Sequence, residues 1–123
     1  MLGGRLFSAA QLEQMKTTVP LPEGFPLTGG YGLGLMRNDS PCGTVWGHGG
    51  DTMGHHSTAA ATEDGRRTAV TDATGEPNDR ETNAGVERYQ RVILFGADTV
   101  AICQMLGRPV PADVLGNLRG VTK

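Results

Sequence analysis

The chain has 123 residues, which bounds it to one domain or part of one. Its hydrophobic fraction of 37% is modest, glycine is abundant at 19, and the net charge is −2 with 20% charged residues. These values exclude the basic stripe of a nucleic-acid binder and the charged block of an interaction tail.

The N-terminal MLGGRLFSAAQ lacks the basic region, long apolar run and cleavage site of a signal peptide, so no export signal is expected. Residues 8–18, SAAQLEQMKTT, read as a helix. Ser8 is a good N-cap, Gln11 stands at the capping-box position, and Phe7 and Leu12 fit a hydrophobic staple. Leu12, Met15 and Val19 follow helical spacing toward a core, and Pro20 and Pro22 stop the helix. The proline- and glycine-rich stretch 20–30 reads as a loop.

The period then changes from helical to alternating. YGLGLM, 31–36, alternates, with Tyr31, Leu33 and Leu35 on one face and Gly32 and Gly34 on the other, where a close neighbour is expected. RNDSPCG reads as a turn. TVWGHGG, HSTAAAT (small residues suited to burial on both faces) and RTAVTD follow as strands, the last two joined by a tight hairpin at Asp64-Gly65. The expectation is an antiparallel meander of three or four strands across 31–72. Asn78 and Glu81 form a capping box ahead of Val86, Tyr89 and Ile93, which predicts a second helix ending near Gly96. Residues 98–106 fit a further short helix, and the tail beyond shows turn signals and weak periodicity. The longest apolar run, VILFGADTVAICQML, is too short and too polar to span a bilayer. The layout is α+β, an antiparallel sheet flanked by helices.

All three histidines lie close together, with Asp51 between His48 and the pair His55-His56. The spacing H-x6-H-H fits no zinc pattern, and neighbours on a strand point to opposite faces. His55 and His56 are therefore read as partly exposed strand-edge residues, and no metal is expected. Ser8, Ser40 and Ser57 are the only serines; none begins S-x-x-K or sits in a G-x-S-x-G elbow. The glycines at 29, 30, 32 and 34 form no phosphate-binding loop. Cys42 and Cys103 have no metal-type spacing, and the sequence leaves open a disulfide or two separate thiols. TVWGHGG remains: a polar residue followed by glycines lets a ligand lie along a strand edge, where backbone N–H groups can bind it or stabilise an oxyanion.

Taken in order, YGLGL, CGTVWGHGG and EDGRR resemble the C-terminal part of serine hydrolases of the class C β-lactamase and D-alanyl-D-alanine carboxypeptidase family, over roughly residues 2–71. The resemblance implies a partial β-lactamase/transpeptidase-like fold and a single partial domain over 1–123, with helix, meander and helix in 1–97 and an extension over 98–123. That family uses three motifs: S-x-x-K, Y-x-N, and a K-T-G or H-x-G strand. His48-Gly49-Gly50 matches the third. Carried over, His48 lines the active site and helps place a substrate carboxylate or the tyrosine proton. Gly49 and Gly50 contact substrate, and the backbone N–H of Asp51 supplies half of an oxyanion hole.

The sequence also departs from the pattern. Gly49 stands where a hydroxyl residue is usual, and Thr52-Met53-Gly54-His55 replaces an x-P-G-Y stretch. S-x-x-K and Y-x-N are absent. The resemblance therefore implies a portion of a longer acyl-serine hydrolase acting on D-alanyl peptides, β-lactams or esters, inactive alone. Its partner is a small-molecule or peptide substrate, and no cofactor, nucleic acid or membrane span is expected. Relatives are often exported. A non-catalytic remnant or binding module is the alternative, and a histidine-based metal protein a weaker one.

Overall fold

Ser8 caps the first helix as its spacing predicts. In the computed structural model, which describes residues 2–25, 27–52, 55–74 and 96–119, the Ser8 hydroxyl accepts from the Gln11 N–H while the Gln11 side chain accepts from the Ser8 N–H. The helix, α1 (Ala9–Lys16), is shorter than the 8–18 expected, and none of its residues is buried. Leu12 and Met15 are half-covered. Val19 is exposed, because it belongs to a short strand rather than to the helix face.

Among the described residues six strands follow: β1 (Val19–Pro20), β2 (Gly29–Tyr31), β3 (Met36–Ser40), β4 (Gly43–Thr52), β5 (His55–Ala61) and β6 (Thr68–Thr74). They form one antiparallel sheet in chain order, larger than the three- or four-strand meander expected. The difference lies in two stretches. YGLGLM is not one strand: β2 ends at Tyr31, and the chain turns through 32–35, where the Gly32 N–H donates to the Leu35 carbonyl at 2.8 Å. Tyr31, Leu33 and Leu35 therefore share no face; Leu35 is buried and Leu33 exposed. The neighbour expected at Gly32 is the end of α1, since a Cβ there would lie 2.0 Å from the Met15 carbonyl oxygen.

Conversely, the turn formers Asn38, Asp39 and Ser40 lie in β3. Pairing with β4 satisfies their backbone, and the Asp39 carboxylate is used by the Thr44 hydroxyl at 2.8 Å and by Arg37 at 3.0 Å. Polar groups that usually bend a chain are here occupied across and along the strand. β5 also departs from expectation: its burial alternates, with His56 and Ala60 inside and Ser57 and Ala59 outside. The Asp64-Gly65 hairpin between β5 and β6 forms as expected.

The helix α2 (Asp98–Leu106) lies over one face of the sheet, and Ile102 packs with Val45 and Ala60, flanked by Met105 and Leu106. A disulfide joins Cys103 of α2 to Cys42 in the β3–β4 turn, with Cα atoms 5.2 Å apart. On the other face Trp46 is buried near the N-terminal segment. Lys16 lies over its ring, 5.1 Å from the centroid, and reaches Glu63 at 2.6 Å. The tail forms a helix, α3 (Ala112–Arg119), which its weak periodicity did not reveal. The predicted helix over 78–96 lies outside the described residues except for Gly96. No helix among the described residues is long and apolar enough to cross a membrane.

Candidate functional site

The register of β4 divides it in two. β3 pairs with Gly43–Gly47 and ends there, at Met36, whereas β5 follows β4 from Trp46 to Thr52. Among the described residues, His48–Thr52 thus has a strand on one side only. The other edge is bare over the stretch that contains His48, Gly49, Gly50 and Asp51.

The glycines of this stretch meet different surroundings. A Cβ on Gly47 would lie 1.8 Å from the carbonyl oxygen of Ala59, so the paired half requires glycine for close approach of β5. Among the described residues, a Cβ on Gly50 would meet nothing within 4 Å, and one on Gly49 only ordinary contacts at 3.4 Å. Packing therefore explains Gly47 and leaves Gly50 unexplained.

His48 is exposed but held. Its Nδ1 contacts the carbonyl oxygen of Gly49, and its Nε2 lies 2.7 Å from the Tyr31 hydroxyl. A carbonyl only accepts, so in the neutral ring Nδ1 carries the proton and Nε2 accepts from the Tyr31 O–H. The two rings meet edge to face with centroids 5.6 Å apart. Tyr31 reaches this position because it pairs with Met36, which in turn pairs with Gly47, one residue before His48. Sequence reasoning assigned Tyr31 only to a strand face; its function-like position needs the three-strand register.

A cavity of about 530 Å³ opens beside this stretch. Leu21, Phe25 and Met36 form apolar wall, and His48, Gly49, Gly50 and Asp51 lie along it. A second cavity, about 430 Å³, lies on the opposite face and is bordered by Trp46, His48 and Val70. His48 thus stands between two concave surfaces.

The remaining histidines separate as strand alternation requires. His55 is exposed, 3.6 Å from Asp72. His56 is not the exposed edge residue expected: it is 3% accessible and lies between β4 and α2. Its Nδ1 donates to Asp51 at 2.8 Å, and its Nε2 faces the Thr58 hydroxyl oxygen at 3.4 Å and the Asp98 carboxylate at 3.5 Å. Thr58 donates to Asp98 at 2.7 Å, and Thr71 also donates to Asp98. The residue count between Thr58 and Asp98 hides this cluster from sequence reading. Among the described residues, no three His, Cys, Asp or Glu side chains form a metal-holding set.

No family model matches the chain. Among solved structures, it is similar to a D-stereospecific amidohydrolase from Streptomyces sp., with 42% identity and a TM-score of 0.54 over 59% of this chain. That enzyme belongs to the penicillin-binding and β-lactamase-like serine hydrolase superfamily. The match covers 22% of its length, so this chain corresponds to a minor part of it. The six-stranded sheet and its helices form a partial transpeptidase-like fold, as the motif resemblance implied. The fold is thus hydrolase-like.

Proposed function

We propose that this chain supplies the substrate-facing sheet of a serine hydrolase working through an acyl-serine on D-configured peptides, β-lactams or esters. The observation that carries the reading is the bare half of β4: the one H-x-G stretch in the sequence falls on the only five residues of that strand that β3 leaves unpaired. The likeness to a D-stereospecific amidohydrolase supports the same reading.

The chemistry follows from the edge. A substrate lying along His48–Thr52 gains backbone hydrogen bonds as an added strand would. Gly50 presents no side chain, so the scissile group can approach the backbone. The Asp51 N–H supplies one oxyanion donor, and the nucleophile's own N–H supplies the other. His48, fixed by Tyr31 through a hydroxyl–imidazole hydrogen bond, assists proton placement near the reacting carbonyl. The nucleophile's oxygen adds to the carbonyl carbon as its proton passes to the leaving nitrogen or oxygen; the amine or alcohol departs, or in a β-lactam the ring opens with the amine still attached, and water then cleaves the acyl ester. Ser8, Ser40 and Ser57 lack the S-x-x-K setting, so in this reading the serine comes from outside the 123 residues.

The test is a segment exchange. This chain's matching residues replace their counterparts in the Streptomyces enzyme, and hydrolysis of a D-configured amide is followed. The exchanged enzyme is expected to be active, and His48→Ala to lower kcat/KM by about 100-fold, the scale of lost acid–base assistance. A folded, active exchange enzyme indifferent to His48→Ala overturns the role of His48. The isolated chain is expected to hydrolyse nothing and to take up no fluorescent penicillin; covalent labelling would contradict an external nucleophile.

A further inference from the structure

We propose that His56 is a positioning residue that fixes the bare half of β4 through Asp51, with Asp98 of α2 as its anchor. Its catalytic consequence rests on the reading of that edge as substrate-facing.

The Asp51 side chain is 65% accessible and has water available, yet it accepts a 2.8 Å hydrogen bond from the buried His56. Asp51 and His56 are direct partners in the β4–β5 register, and the bond ties the two strands close to where β4 loses β3. Without β3, this half has, among the described residues, one ladder of backbone hydrogen bonds instead of two, so a side-chain tie counts for more here than in the paired half.

The tie is itself braced. The groups facing His56 are Asp51 from β4, Thr58 from β5 and Asp98 from α2. Thr58 and Thr71 both donate to Asp98, which fixes the first residue of α2 against β5 and β6. Both ring nitrogens therefore face oxygens on elements that cannot shift independently. A path of direct contacts runs from α2 through Asp98, His56 and Asp51 to the backbone proposed to face the carbonyl. Such a brace holds an oxyanion donor in place before substrate arrives, which is what electrostatic preorganisation requires.

The experiment is hydrogen exchange on the full 123-residue chain, comparing the inward-pointing amides of Gly50–Thr52 with those of Val45–Gly47. His56→Leu is expected to speed exchange in Gly50–Thr52 by about tenfold, the effect of one ordinary hydrogen bond on local opening, and to leave Val45–Gly47 unchanged. His56→Asn, which keeps a donor for Asp51, is expected to restore most of the protection. Uniform acceleration along β4 and β5 would mean that His56 serves general stability, and unchanged exchange would mean that it ties nothing; either result overturns the proposal. If His56→Leu does not fold, Asp51→Asn takes its place: the side chain is largely accessible, and the same local acceleration, by a smaller factor, is expected. In the exchanged hydrolase, His56→Leu is expected to lower kcat and leave KM unchanged. An exchanged hydrolase inactive with His56 intact refutes the functional reading, and hydrogen exchange still decides the brace.

Discussion

The two halves of β4 are built differently. Gly43–Gly47 lies beneath α2, paired with β3 and, from Trp46, with β5, next to a disulfide and the Val45–Ala60–Ile102 cluster. Among the described residues, His48–Thr52 has one neighbouring strand, a Gly50 that packing does not demand, and polar side chains held by Tyr31 and His56. Side-chain burial and backbone closeness determine residue choice in the first half. In the second, a side chain at Gly50 would meet no described neighbour within 4 Å, which agrees with the proposed use of its backbone for substrate access. One strand thus carries a stability segment and a candidate working segment end to end.

Removing the disulfide attacks the first half and has the largest expected effect. The bridge spans a sequence separation of 61, and in the chain-entropy account a loop of that size contributes about 4 kcal/mol. Cys42→Ser with Cys103→Ser should lower the denaturation midpoint accordingly, and reductant should shift wild type but leave the double variant unmoved. Next comes the glycine contrast. Gly47→Ala drives a methyl into the Ala59 carbonyl and should cost about 3 kcal/mol, whereas Gly50→Ala should stay within about 0.5 kcal/mol. Urea unfolding of the two variants measures the difference. Equal losses would erase the distinction between the halves.

The smallest effect is acid sensitivity at the β5–β6 turn, remote from the bare edge. The Thr62 hydroxyl and the Arg66 N–H donate to Asp64 and hold its carboxyl below the usual carboxylate range. A group whose folded pKa is lowered stabilises the fold above its unfolded value and loses that contribution as pH falls through the folded one. Asp64→Asn should therefore flatten the acid limb of the stability curve slightly and leave stability differences between the β4 variants unaltered at neutral pH.

How much of this was legible in the sequence follows from how local each signal is. The Ser8 capping box, the Asp64-Gly65 hairpin and the strand around TVWGHGG depend on residues a few positions apart, and they are found where expected. The extent of the sheet was not legible. Asn38, Asp39 and Ser40 signal a turn locally, but β4 and Thr44 satisfy them in a strand. Gly32 and Gly34 suggest alternation, yet the chain turns there. At the candidate site, His48-Gly49-Gly50 was readable as a motif, and its bare edge depends on where β3 ends. Tyr31 and His48 are brought together by register across three strands, and the buried setting of His56 depends on Asp98, far along the chain in α2. Nothing in spacing alone announces such pairs. The disulfide likewise stayed open until the turn and α2 met in space.

In the proposed function the bare half of β4 faces substrate. The most direct measurement is kcat/KM for a D-configured amide in the Streptomyces enzyme carrying this chain's segment, with glycine or alanine at position 50. Gly50→Ala is expected to leave the folded fraction unchanged and to lower kcat/KM by about 100-fold, the loss expected when reacting groups are displaced by about an ångström. Full activity in the stable Gly50→Ala enzyme would contradict it.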